Sequence, residues 1–146
     1  MRRRANIRIQ VVSVLLFVLA AAAGCSNPAQ PTTTQAPFSQ TDLVVGTGTQ
    51  AFAGSRITVA YGGWLYNSAR PDGKGTQFDA SSAYSFVLGA GTVIRGWDQG
   101  VPGMRVGGQR RLIIPPELAY GSAGAPGSVI GPNATLIFDI TLVSVP

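Results

Sequence analysis

The chain has 146 residues, 11 Lys and Arg against six Asp and Glu, no His and a single Cys. That inventory excludes His/Cys metal sites, Ser-His-Asp triads, Cys-His dyads and any disulfide within the monomer, and the length suits one domain with an appendage. A formal charge of +5 would fit a nucleic-acid binder, but Arg2, Arg3, Arg4 and Arg8 all lie in the first eight residues. The seven basic residues that follow face six acids, so the body of the chain is near neutral and no nucleic acid is expected as a partner.

Residues 1–25 read as a secretory signal. The four arginines form its basic start, and Val11 to Ala23 is apolar apart from Ser13, a run suited to an export signal and too short to span a bilayer comfortably. The segment ends Ala22-Ala23-Gly24-Cys25, which resembles the lipobox of bacterial lipoproteins, where the Cys thiol is acylated and becomes the new N-terminus. Ala22 stands where that motif usually has Leu. An ordinary signal peptide that leaves a free thiol is the alternative, and a twin-Arg signal lacks the rest of its motif. Lipidation at Cys25 would anchor an exported protein to a bacterial membrane in the cell envelope. Residues 26–41 carry no charge and three prolines, a composition that reads as a solvated tether.

Residues 42–146 are long enough for one hydrophobic core. Ile57, Val59 and Tyr61 alternate with Thr58 and Ala60, as on a half-buried strand; Tyr84, Phe86 and Leu88 do the same. Arg111 to Ile114 predicts a short strand that stops at Pro115-Pro116. Leu136, Phe138, Ile140 and Leu142 mark the last one. Ile94, Trp97, Val101 and Met104 recur at spacings of three and four, so they face one side of a helix. Gly96, Gly100, Pro102 and Gly103 limit it to about two or three turns. Gly and Pro clusters divide the strands as in an antiparallel sheet, and the expected architecture is α+β, a curved sheet packed on one short amphipathic helix.

Groups for acid–base or metal chemistry are few. Asp42, Asp72, Asp79, Asp98, Glu117 and Asp139 form no close acidic cluster in sequence, so a hard-metal site has little support and nothing favours a glycosidase pair. Gly89-Ala90-Gly91 lacks the third glycine and the Lys-Ser/Thr of a phosphate loop. Arg110 and Arg111 sit side by side on a strand, so they point to opposite faces and make no basic patch. Asn133-Ala134-Thr135 matches a glycosylation sequon, with a turn into the last strand as its plainer reading. Aromatic residues are the more informative set: Tyr61, Phe78, Tyr84, Trp97, Tyr120 and Phe138 are spread over the whole domain.

All of these aromatics but Tyr84 fall within a series of short segments. Val59-Ala-Tyr-Gly-Gly-Trp-Leu65, Gln77-Phe-Asp-Ala-Ser81, Phe86-Val-Leu-Gly89, Val93-Ile-Arg-Gly-Trp-Asp98, Gly100-Val-Pro-Gly-Met104, Ile114-Pro-Pro-Glu-Leu-Ala-Tyr-Gly121 and Pro132-Asn-Ala-Thr-Leu-Ile-Phe-Asp139 occur in one order. Together they resemble the FKBP family of peptidyl-prolyl cis-trans isomerases over about residues 42–145. The resemblance implies a curved antiparallel β half-barrel wrapped around one short helix, with a ligand pocket between them. Tyr61, Phe78, Asp79, Trp97, Tyr120 and Phe138 would be the catalytic set, and Tyr84, Val93, Ile94 and Ile130 would bind substrate. Trp97 would form the floor and Phe78 and Phe138 the walls, while the Ile94 N–H and the Tyr120 hydroxyl would donate to substrate carbonyls. Asp79 would be a rim group tied to Tyr61.

The resemblance further implies X-Pro segments of exported proteins as substrates, macrolides such as tacrolimus or rapamycin as ligands, and no metal or cofactor. The chain departs from better-known members in a shorter stretch between Asp79 and Tyr84, in Tyr84 where a Phe is usual, and in Ala125 and Gly131 within the loop from Ser122 to Pro132. These changes touch substrate preference and macrolide affinity. Two other functions would use the same pocket: a chaperone or Pro-peptide binding module without turnover, and a lipoprotein that captures an apolar solute.

Overall fold

The computed structural model describes residues 35–146; the basic start, the apolar run and Cys25 lie outside the described residues. Five strands form one antiparallel sheet: β1 (Ser39–Val44), β2 (Arg56–Tyr66), β3 (Lys74–Val87), β4 (Gln109–Ile114) and β5 (Leu136–Ser144). Their spatial order is β1-β4-β5-β2-β3, which leaves β1 and β3 at the edges. One helix, α1 (Arg95–Gly100), crosses the inner face, and two 3-10 turns follow β4. The expected α+β half-barrel around one short helix is the fold observed.

The alternating strands place their apolar sets on one side. Ile57 and Val59 of β2, Leu112 and Ile114 of β4, and Leu136, Phe138, Ile140 and Leu142 of β5 are buried against Trp97 and Val101. Gly96 and Gly100 let α1 approach closely. A Cβ on Gly96 would meet the Ile114 side chain at 2.5 Å, and one on Gly100 would meet Leu112 at 2.6 Å. Glycines that weaken the helix on its own are thus what allow it to lie on β4.

The helix is shorter than its spacing predicts. It has six residues, with Ile94 capping its start and Val101 its end. Pro102 has no N–H to extend the ladder, and Gly103 turns the chain out at φ 87°. Val101 and Met104 are nonetheless buried, because the chain folds back and the Gly103 N–H donates to the Ala51 carbonyl at 2.9 Å.

Two strand boundaries differ most from expectation. β3 extends ten residues N-terminal to the alternating segment at Tyr84, through a polar run with no period-2 pattern. β1 begins at Ser39, within the segment expected to be tether. Ser39, Gln40 and Thr41 pair with Ile113, Leu112 and Arg111, and Phe38 packs on the core next to Gly100. Polar residues suit an edge strand exposed on one face, which is why composition alone reads them as linker.

Arg110 and Arg111 point to opposite faces as expected, and both are paired. Arg110, 8% exposed, bonds the Asp42 carboxylate and the Gly100 and Pro102 carbonyls, joining β1 to the end of α1. On the outer face Arg111 grips both oxygens of Asp139 at 2.7 and 2.8 Å, and Lys74 reaches the same carboxylate at 2.6 Å while lying over the Trp64 ring.

Candidate active site

Between α1 and the concave side of the sheet lies a cavity of about 470 Å³. Tyr61 comes from β2, Phe78, Asp79 and Tyr84 from β3, Thr92, Val93 and Ile94 from the loop into α1, and Trp97 from the helix. Ala119 and Tyr120 come from the turns after β4, and Phe138 from β5. Nine of the ten residues singled out in the sequence therefore line one pocket. The exception is Ile130, which is 5% exposed, packs in the core and is not among the lining residues. Its N–H and carbonyl are tied back to Ser128 and Ala125, which draws it under the 122–132 loop.

Trp97, 4% exposed, forms the floor. Tyr61 and Phe138 stand edge-on to its ring at centroid distances of 4.9 and 5.3 Å, and Phe78 meets Phe138 at 5.5 Å and 85°. Edge-to-face contacts of this kind fix ring orientation beyond simple area burial. Gly63 makes room for the wall: a Cβ there would stand 2.6 Å from Phe138 and 2.9 Å from Phe78. The Trp97 indole N–H is buried without an acceptor among the described residues.

Apart from that indole, the polar side chains of the lining are those of Tyr61, Asp79, Tyr84, Thr92 and Tyr120. The Tyr61 hydroxyl donates to Asp79 Oδ2 at 2.6 Å, and Asp79 Oδ1 accepts the Ala80 N–H at 2.8 Å. Burial first, and then the bond to the Asp79 carboxylate, push the Tyr61 phenol well above its ordinary pKa. Tyr61 is therefore a fixed donor that does not titrate near neutrality. Tyr120 is 42% exposed, and neither its hydroxyl nor the Ile94 N–H has a protein acceptor among the described residues. Both remain available to a ligand.

Thr92 and Ala119 line the pocket but were not singled out in the sequence. Ala119 lies inside the Leu-Ala-Tyr-Gly segment and could have been found from its neighbour Tyr120; Thr92 carries no comparable signal. The Gly89-Ala90-Gly91 turn holds a carboxylate of the protein itself, since the Gly89 and Gly91 N–H groups donate to Asp98 at 2.8 and 3.0 Å. Among the described residues, no group of three or more His, Cys, Asp or Glu side chains is placed to hold a metal ion.

Comparisons with known proteins agree with this geometry. The profile of the family described as FKBP-type peptidyl-prolyl cis-trans isomerase matches residues 48–143. An FK506-binding protein of Neisseria meningitidis serogroup A is 48% identical over 108 residues, covering 71% of this chain and 92% of that protein. An FK506-binding protein of Streptomyces anulatus is 49% identical over 108 residues, covering 71% and 82%. Among solved structures, AtFKBP13 superposes with a TM-score of 0.63 at 39% identity, covering 75% of this chain and 93% of that one. FkpA from Escherichia coli gives 0.61 at 39% identity, covering 74% and 47%. Sequence, topology and pocket all lead to one assignment: the chain belongs to the FKBP-type peptidyl-prolyl cis-trans isomerase family.

Proposed function

We propose that this chain catalyses cis-trans isomerisation of X-Pro bonds in exported proteins by seating the proline ring on Trp97. The observation that carries the reading is the aromatic enclosure itself, a buried indole floor with Tyr61 and Phe138 edge-on to it and Phe78 behind Phe138. An X-Pro amide resists rotation because its C–N bond is partly double, with a barrier of ~20 kcal/mol. In the twisted transition state that resonance is lost, and the carbonyl oxygen carries less negative charge. An apolar enclosure disfavours the charge-separated planar amide more than the twisted one, and only such differential stabilisation raises the rate. Each tenfold acceleration requires about 1.4 kcal/mol, so a few contacts suffice without nucleophile, metal or proton transfer.

In this mechanism Phe78 and Phe138 exclude water and hold the ring, while Val93 and Tyr84 complete the lining that receives the substrate. The Ile94 N–H and Tyr120 hydroxyl bind carbonyls of the substrate chain, and the Asp79–Tyr61 pair keeps the Tyr61 ring upright beside the floor. Tacrolimus or rapamycin, which offer a ring and carbonyls to the same groups, compete with substrate. This ligand reading is supported by the relatives' names as FK506-binding proteins. A protease-coupled assay on an X-Pro peptide, with and without tacrolimus, tests it. Macrolide-sensitive acceleration is expected; binding without acceleration would make the protein a non-catalytic Pro-peptide module.

Residues 1–24 act as an export signal and Cys25 is acylated, leaving the exported domain tethered to a bacterial membrane in the cell envelope. The support is the sequence of that segment, with the chain's single Cys at its end. Cys25→Ala is expected to release the domain from membranes or to block processing. Mass spectrometry showing an unmodified Cys25, with the mature N-terminus elsewhere, would refute this.

A further inference from the structure

We propose that Asp98, which does not line the pocket, is a positioning residue that holds the Ile94 N–H in place for substrate. This rests on the reading of the pocket as an X-Pro site. The Asp98 carboxylate grips the start of the segment that leads into α1. Its carboxylate accepts the Gly89 N–H on Oδ1 at 2.8 Å and the Gly91 N–H on Oδ2 at 3.0 Å, and its own N–H donates to the Ile94 carbonyl at 3.4 Å. The turn so gripped is poorly held by anything else. Gly89 and Gly91 have φ of 79° and 72°, residues 89–92 are exposed, and nothing stands within 4 Å of where a Gly91 Cβ would be. Packing holds this segment only at its ends, at Gly89 beside Ala53 and at Val93 and Ile94 against the core, and the one further backbone bond of the turn, from the Ala90 N–H to the Val87 carbonyl, spans 3.3 Å.

Thr92, Val93 and Ile94 leave this turn directly into the pocket wall. Without the carboxylate, water competes for the two amides and the segment samples other orientations, so the Ile94 N–H meets the substrate carbonyl in only part of the ensemble. A bound carbonyl is contacted before and during rotation alike, so the loss falls on binding and not on turnover.

The test compares Asp98→Ala, Asp98→Asn and the control Asp72→Ala in the full chain. The control removes a carboxylate–amide bond of the same kind, accepted by Asp72 from the Lys74 N–H, in a turn that does not line the pocket. KM and kcat are read from the protease-coupled assay, and the Kd of an Ala-Leu-Pro-Phe peptide by calorimetry. For Asp98→Ala the expected result is a rise of about tenfold in KM and Kd with kcat within about twofold of wild type. Asp98→Asn, which keeps one acceptor oxygen, falls between, and Asp72→Ala matches wild type. A fall in kcat with KM and Kd unchanged would mark a merely structural role and overturn the proposal, as would unchanged kinetics. If Asp98→Ala does not fold, Asp98→Asn carries the same test. A wild-type chain that binds the peptide without turnover would refute the isomerase reading, while the Kd ratio would still decide the role of Asp98.

Discussion

Asp139 shows how one carboxylate can organise a surface. Its burial works to raise its pKa, but the hydrogen bonds from Arg111 and Lys74 outweigh that, and the carboxyl lies below the ordinary aspartate value. Asp42 is lowered in the same direction, chiefly by its bond to Arg110. A group whose folded pKa is depressed contributes stability above its unfolded pKa and loses it as pH falls through the folded value. The melting temperature should therefore be level from pH 5 to 8 and should drop below about pH 4. Asp139→Asn should lower stability at pH 7 and flatten the acid limb; an unchanged acid limb would show that this cluster is not the source.

Inside the pocket, Gly63→Ala should cost about 1–3 kcal/mol, because the added methyl overlaps both phenyl rings of the wall. Activity of that variant should fall further than its stability requires, since Phe78 and Phe138 must shift. Trp97→Ala removes the floor and leaves a cavity worth about 3–5 kcal/mol of stability, and should abolish measurable turnover in molecules that remain folded. Tyr120→Phe deletes a single donor and should lower kcat/KM about two- to tenfold.

At the scale of elements, β1 is the part of the fold that composition concealed. A chain starting at Asp42 loses Phe38 and three ladder partners of β4, and should be less stable than one starting at Gln35 by about 2 kcal/mol, read from the urea midpoint. Equal midpoints would mean that Ser39–Thr41 add nothing. β2, β4 and β5 were legible because one face of each is buried, so their apolar residues alternate. The first ten residues of β3 were not legible, because that edge strand turns few apolar side chains inward. The helix was legible in position but not in length: the spacing of Ile94, Trp97, Val101 and Met104 is the spacing of a buried surface, which a helical turn and the bend after it satisfy equally. Nine pocket residues could be placed because motif order fixes which strand, loop or helix carries each. Ile130 could not, since it sits in a loop whose path depends on hydrogen bonds among small residues that no pattern records.

For the molecule as a whole, a sheet that curls around α1 creates a concave surface, and the aromatics of three strands and the helix converge there. The Arg110 cluster fixes the far end of the helix to β1, and Asp98 fixes its near end to the loop. The floor is thus held from both sides while the cavity stays open to solvent at Tyr84 and Tyr120. Such a site acts through shape and dielectric, so its rate should not follow any protonation step. The pocket holds no imidazole and no thiol, the side chains that ordinarily titrate nearest neutrality.

The rate of X-Pro isomerisation from pH 6 to 8, measured for the wild type and for Asp79→Asn, addresses this claim most directly. A flat profile is expected for both, with substantial activity in Asp79→Asn because the amide oxygen still accepts the Tyr61 hydroxyl. A bell-shaped profile with a limb near neutrality, or a folded but inactive Asp79→Asn, would contradict it and require acid–base chemistry at Asp79.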